Sequence, residues 1–312
     1  MKLAVTGGAG FLGYHLCRQL ADRFTEFRVL DVAPIDRPEY PPHTRYAQVD
    51  VRDLDGVTRA LEGAHAVVHA SAALPLQPPK EIFEVNVGGT SNVLTAAKRC
   101  GIRRVVYISS TAVYGVSTQH PVQESDPLSG VGPYGASKVR AEAICRHFQK
   151  EGALVVPILR PKSFVGPGRL GVFQILLDWI QSGKRIPIIG KGTNRYQLLE
   201  VSDLVEAVYL CLTEADDTGL NDAFNVGAEI FGTVREDLEA LCEFAGSGSR
   251  ILPLPAKPIQ ALLAVLYKLH LSPLYPWIYA TADKDSFVSS EKITRRLGWK
   301  PRHSNAGALI QS

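Results

Sequence analysis

The chain has 312 residues, 46% of them apolar and 21% charged, which suits a sizeable core in one large or two modest domains. A net charge of +3 without a basic block argues against nucleic acid as the main partner. No apolar run reaches the roughly 18 residues of a membrane span, and Met1–Lys2 lead straight into a strand-like run instead of a secretory leader, so a cytoplasmic protein is expected.

Residues 2–6 (KLAVT) read as a short buried strand, followed by Gly7, Gly10 and Gly13 in T-G-x-x-G-x-x-G spacing. Helical periodicity opens at Phe11 and Leu12. A strand, a glycine turn and a helix N-terminus together cradle a dinucleotide pyrophosphate: the glycines let the backbone approach phosphate, and the helix supplies N–H groups and a positive dipole end. A second strand ends in VLDV and places Asp31 24 residues after Gly7, where a carboxylate accepts hydrogen bonds from a ribose diol and repels a 2′-phosphate. Further strand-like runs occur at 46–50, 66–70, 104–109 and 154–160, with helices at 11–22, 53–62, 81–100 and 133–150. Strands alternating with helices give a doubly wound parallel sheet over residues 1–160. After Pro161, Gly/Pro turns separate shorter elements, with helices expected at 172–182, 202–214, 233–246, 256–270 and 289–297. Residues 161–312 are expected to form a smaller substrate-binding lid, some of whose elements return to the main sheet. The chain stops within what reads as a final amphipathic helix. Cys17, Cys100, Cys145, Cys211 and Cys242 are far apart and form no CxxC pair, so free buried thiols and no metal site are expected.

Tyr134 and Lys138 (YGASK) stand four apart, on one face of a helix opening after Pro133. A free tyrosine, with a pKa near about 10, is a poor base at neutral pH, and a neighbouring ammonium stabilises its phenolate. Ser109, Ser110 and Thr111 end the fifth strand at its carboxyl edge, where a hydroxyl can hold the substrate oxygen that the tyrosine protonates. His69 reads as a satisfied structural histidine; Asn86 suits a capping or turn role as well as a catalytic one.

TGGAGFLG, Asp31, VDVRD, HASAA (69–73), NVGGTSNVL (86–94), SSTAVYG, YGASK, LRPKSFVGPG, VSDLVEAV, FNVG and LGWKP together resemble the extended short-chain dehydrogenase/reductases of the NAD-dependent epimerase/dehydratase group. The resemblance implies a Rossmann α/β fold, NAD as cofactor, and catalysis by Tyr134 and Lys138, with Ser110, four residues before the Tyr of VYG, completing the triad and Thr111 as the fallback. It implies that Asp50 and Val51 meet adenine, that Ala70, Ser71 and Ala72 let the cofactor come close, that Ser109 lies beside it, and that Lys138 also bonds the nicotinamide ribose. A homodimer pairing helices 81–100 and 133–150 into a four-helix bundle is also implied.

The departures from that pattern bear on the substrate. Sugar-nucleotide 4,6-dehydratases carry an Asp-Glu pair where this chain has Thr111 and Ala112, so no acid is in place to eliminate water. Many epimerases place an Asn on the diphosphate where this chain has Ser163. They also place an Arg seven residues before the Asp of VxD; that position is Tyr196 here, with Arg195 one off, and a one-residue slip in a strand reverses the side-chain face. Arg169 in GPGRLG is a substitute phosphate ligand. GKGTNRYQ and the apolar stretch 254–280 resemble 3β-hydroxysteroid dehydrogenase-like reductases; that stretch suits burial against the lid, an apolar substrate or contact with a membrane. The leading expectation is an epimerase acting at C4 of a nucleotide sugar through transient hydride transfer. The alternatives are net oxidation or reduction of an apolar alcohol or ketone, and a non-catalytic NAD-binding regulator.

Overall fold

A computed structural model describes residues 1–168, 172–269, 271 and 276–312. The first half runs β1 (Lys2–Thr6), α1 (Phe11–Gln19), β2 (Glu26–Asp31), β3 (Thr44–Gln48), α2 (Leu54–Leu61) and β4 (Ala66–His69), then α3 (Pro79–Phe83), α4 (Thr90–Arg99), β5 (Arg104–Ile108) and α5 (Gly132–Glu151). The second half runs β6 (Ile158–Pro161), β7 (Phe164–Val165), α6 (Val172–Gln181), β8 (Ile186–Ile189), β9 (Leu199–Glu200), α7 (Val201–Thr213), β10 (Ala223–Val226), α8 (Val234–Ala245), β11 (Ile251–Leu254), α9 (Ala256–Lys268), α10 (Pro276–Thr281), α11 (Glu291–Leu297) and α12 (Asn305–Gln311).

Seven strands form one sheet in the order β10-β6-β5-β4-β1-β2-β3, and every pairing in it is parallel. This is the doubly wound α/β fold. A parallel sheet is covered on both faces, so its inner strands are continuous apolar runs: β4 (AVVH) is buried throughout, and β1 from its second residue. One layer packs α1 and α7 against Leu3, Val5, Val68, Leu159 and Phe224. The other packs α2, α4 and α5 against Ala4, Val67, Tyr107, Ile158 and Ala223. Alternate residues of one strand thus serve opposite layers. β10 comes from the second half of the chain, yet extends the main sheet beside β6. Two small sheets also form: β11-β8 packs on a separate cluster around Ile180, Leu198, Leu241 and Leu309, while β7-β9 packs through Phe164 and Leu199 on the core of the main sheet.

Two elements differ from the expected pattern. The helix expected over 81–100 is α3 and α4 joined by a π-helical turn, Glu84–Gly89. That turn fits where Gly89 meets Val51: a Cβ there would lie 2.6 Å from Val51 Cγ2. The sixth strand begins at Ile158 instead of Leu154, and Val155 makes only an isolated bridge to Arg104.

The turn between β1 and α1 tolerates no side chain at its third glycine. A Cβ on Gly13 would lie 2.4 Å from Gly8 Cα and 2.5 Å from Gly7 O, both backbone atoms, whereas one on Gly88 would meet nothing within 4 Å. Gly13→Ala is therefore expected to destabilise the protein by about 1–3 kcal/mol, the usual cost of overpacking, with Gly88→Ala near neutral. Chemical denaturation of both variants checks this; equal midpoints would contradict it.

Candidate functional site

The site is built along the carboxyl edge of the sheet, where open α/β sheets bind ligands. Gly7 has φ +69°, a conformation natural to glycine. A Cβ on it would lie 2.7 Å from Ser71 N, so the glycine turn and the Ala70–Ser71–Ala72 segment after β4 touch backbone to backbone. Thr6 strengthens that junction, its carbonyl accepting from Ala70 N at 3.1 Å and its hydroxyl from Ser71 N at 3.4 Å. Gly10 is the N-cap of α1 and offers no side-chain cap, which leaves that helix end suited to an anion. Asp31, at the end of β2, is oriented by two backbone donors, Ala9 N and Ala33 N, each at 3.0 Å. Phe11 and Leu12 send their side chains into the core, Phe11 stacked on Phe164 at 5.9 Å, so only their backbone faces the turn. The Asp50 carboxylate is clamped by Arg52 at 2.6 Å, and hydrogen bonds from that guanidinium lower its pKa. Val51 is buried, its carbonyl held by Asn92 Nδ2 at 3.0 Å.

A buried polar chain joins this turn to the helix that carries Tyr134. His69 Nδ1 lies 2.7 Å from Thr6 Oγ1, and His69 Nε2 3.0 Å from Thr90 Oγ1. Thr90 Oγ1 donates to Asn86 O at 2.6 Å, so Nε2 must be the protonated nitrogen and Nδ1 the acceptor from Thr6. Burial lowers the His69 pKa to about 3, with the Lys138 charge adding to the effect, so the ring stays neutral. Asn86 closes the chain. Its amide accepts from Ala73 N at 2.7 Å and donates to Ser137 Oγ at 2.9 Å, and Ser137 Oγ donates to Tyr134 O at 2.7 Å. His69 is thus a satisfied structural residue, and Asn86 is a bracket between the loop after β4 and the first turn of α5.

Tyr134 is half-buried near the start of α5, and Lys138, one turn on, is 2% exposed. Lys138 Nζ donates to Ile108 O at 2.9 Å and lies 6.0 Å from the centre of the Tyr134 ring. Burial lowers its pKa to about 8, which leaves most of it charged at neutral pH. Ser110 caps the 3-10 turn Thr111–Tyr114, its Oγ accepting from Ala112 N at 3.1 Å. Ser109 turns its hydroxyl inward, donating to Glu142 Oε1 at 2.7 Å, so only its backbone is left to face a cofactor. Glu142 and Arg160 are both fully buried and paired at 2.6 and 2.8 Å. Arg160 also donates to Tyr114 Oη at 2.7 Å, and Tyr114 to Asn225 Oδ1 at 2.7 Å. This network escaped the motif reading because its members lie far apart in sequence.

Just past β6, Ser163 Oγ lies 2.9 Å from Tyr196 Oη. Arg195 points elsewhere, its guanidinium 4.5 Å from the Phe231 ring and 4.9 Å from the Phe287 ring. The one-residue slip thus brings a tyrosine, and not an arginine, to Ser163. Arg169 lies outside the described residues. Lys162 was not singled out from sequence. It is 4% exposed, donates to Ser286 Oγ at 2.7 Å, lies 4.8 Å from the Tyr196 ring, and has no carboxylate within ion-pair distance among the described residues.

The family model for the NAD dependent epimerase/dehydratase family matches residues 3–227, and the chain belongs to that family. It is 35% identical over 310 residues to an uncharacterized protein, y4nG, of Sinorhizobium fredii, covering 99% of this chain and 76% of the relative. It is 28% identical over 337 residues to the UDP-glucose 4-epimerase of Lactobacillus helveticus, covering 99% and 95%. Among solved structures it is similar to the UDP-glucose 4-epimerase of Thermus thermophilus in complex with NAD, with a TM-score of 0.79, 27% identity, and coverage of 100% and 97%.

Lys162 makes a measurable demand on stability. Burial lowers its pKa from 10.5 to about 7, so between those values the unfolded chain holds more protons and stability rises with pH. Below pH 7 the full cost of burying the charge is present; above pH 10.5 it is gone. Lys162→Met is therefore expected to be more stable than the parent at pH 6, by an amount on the order of 2–4 kcal/mol, with the difference closing as pH rises. Denaturation at several pH values measures it; a pH-independent difference would contradict the assignment.

Proposed function

We propose that the protein is an NAD-dependent nucleotide-sugar epimerase acting at C4 of the sugar. The observation that carries the reading is the set of Tyr134, Lys138 and Ser110 at one carboxyl edge, with the Lys138 ammonium buried and anchored on Ile108 O. In this reading Tyr134 Oη takes the proton of the C4 hydroxyl, and Ser110 Oγ holds that oxygen. Lys138 favours the tyrosinate by its charge. When the sugar presents its other face, Tyr134 returns the proton to the same oxygen. NAD, when bound, supplies an acceptor for the C4 hydride and gives it back, so no net oxidation occurs.

The cradle suits that cofactor. Gly7, Gly10 and Gly13 let the turn fold tightly on itself and on Ser71, α1 presents an N-terminus without a side-chain cap to the pyrophosphate, and Asp31 is oriented for a ribose diol. Lys138 would meet the nicotinamide ribose, and Asp50 and Val51 the adenine. The small residues Ala70, Ser71 and Ala72 admit close approach. Thr111 and Ala112 provide no acid for dehydration, which favours epimerisation. Similarity to UDP-glucose 4-epimerases supports the substrate class. One observation favours the second reading, net oxidation of an apolar alcohol: Arg195 is stacked on two phenylalanines and Ser163 is paired to Tyr196, so neither is arranged as a diphosphate ligand.

Incubation with UDP-sugars and, separately, with sterol-like alcohols distinguishes the two. Isomerised sugar without accumulating NADH is expected; NADH accumulating from the alcohol alone would overturn the epimerase reading. Tyr134→Phe keeps the ring but removes the titrating oxygen, and turnover should fall by roughly 10²–10⁴-fold. Calorimetry should show NAD binding tighter than NADP, with Asp31→Ala narrowing the gap because it removes both the diol acceptor and the repulsion of a 2′-phosphate.

A further inference from the structure

None of the 13 residues of α9 is buried, although its sequence, AKPIQALLAVLYK, is mostly apolar. The helix nevertheless has a defined orientation. Gln260 Nε2 donates to Tyr279 O and to Asp283 Oδ1, both at 3.1 Å, and Ile259, Leu263 and Leu266 are partly covered. The opposite side carries Pro258, Ala261, Leu262, Val265 and, just past the helix, Leu269, a stripe at 3–4-residue spacing along one face. Leu262 is 53% exposed, Val265 55%, Leu269 60% and the following Leu271 68%. A water-facing helix leaves such residues singly exposed, not in a row.

Charge selects the occupant. Between Glu243 and Asp283 the chain contains no acidic residue, while Arg250, Lys257 and Lys268 fall in that interval. Lys257 and Lys268 are exposed and border the apolar stripe. Leucines and valine on one face with lysines at its margin form the pattern of a helix lying in the interface of a bilayer with anionic lipids. No described helix is long and apolar enough to cross a membrane, so the contact is in-plane. A second copy of the chain would place like-charged lysines opposite one another. A protein groove would need to receive a helix that projects with most of its surface uncovered.

We propose that α9 is an interfacial helix that docks the protein on an anionic lipid bilayer. The stripe seats in the headgroup–acyl boundary, and Lys257 and Lys268 meet the lipid phosphates. The NAD-loaded full chain is sedimented with phosphatidylcholine vesicles made with and without phosphatidylglycerol. Binding is expected to the anionic vesicles, to weaken with added salt, and to be much weaker to the neutral ones. Leu262→Asp with Val265→Asp should lower the partition coefficient ~10-fold or more, and Lys257→Gln with Lys268→Gln should lower it roughly fivefold per lysine. All four positions are exposed, so thermal midpoint and NAD affinity should remain those of the parent and report an intact fold. Failure to bind anionic vesicles overturns the proposal, as does binding indifferent to the two aspartates. A dimer that those aspartates dissociate, in a protein that ignores vesicles, would assign the stripe to a second copy instead.

Discussion

The buried pair of Glu142 and Arg160 is the joint on which the site depends. Both side chains are fully buried, and an ion pair in that position is tolerable only if its remaining hydrogen-bond capacity is met. It is met by residues from several parts of the chain. Ser109 and Arg146 bond Glu142, while Tyr114 and the carbonyl of Glu124 bond Arg160. Asn225, which bonds Tyr114, comes from β10 and also donates its own N–H to Glu124 Oε1. The pair thereby ties α5 to the ends of β5 and β6, to the turn that Ser110 begins, and to β10. This gives a physical reason for β10 to join the main sheet at β6: its Asn225 completes a network that would otherwise leave buried polar groups unpaired.

The second constraint is the polar chain through His69. It begins at Thr6, on the strand that feeds the glycine turn, and ends at the carbonyl of Tyr134. Every group in it has a defined donor or acceptor role, because Thr90 can donate only once and does so to Asn86. A neutral His69 is required, and burial together with the nearby Lys138 charge keeps it so. One charge near the polar chain is thus reserved for Lys138, whose ammonium faces Ile108 O and the Tyr134 ring. The glycine turn and the Tyr134–Lys138 pair are held in common register by this chain of buried side chains.

Much of the fold was legible in the sequence because parallel sheets write themselves as local patterns. KLAVT, AVVH and RVVYI are apolar runs of strand length, and the intervening segments have helical periodicity. The glycine spacing and YGASK could be read for the same reason, since their residues lie within one turn or one helix. What could not be read depends on distance in sequence. Glu142–Arg160 spans 18 residues, Tyr114–Asn225 spans 111, and Lys162–Ser286 spans 124. Ser109 and Ser110 are adjacent and chemically alike. Only the pleat decides that the first hydroxyl turns inward to Glu142 while the second caps the turn at the edge. The π-helical turn at Glu84–Gly89 is another tertiary outcome, fixed by the contact of Gly89 with Val51.

Tertiary surroundings, and not strand position alone, also separate two neighbouring cations. Arg160 and Lys162 are two residues apart at the end of β6, and both are buried, yet their surroundings differ. Arg160 meets a carboxylate, whereas Lys162 meets a hydroxyl and an aromatic ring. A guanidinium with a bidentate partner keeps its charge in the interior, while an ammonium without a carboxylate gives it up more readily. Lys162 is accordingly the one of the two whose protonation follows pH near neutrality, and it stands beside Tyr196, the partner of Ser163. The edge of Tyr134, Lys138 and Ser110 thus stands near a group built from Lys162, Tyr196 and the tilted Phe231–Phe287 pair against which Arg195 lies.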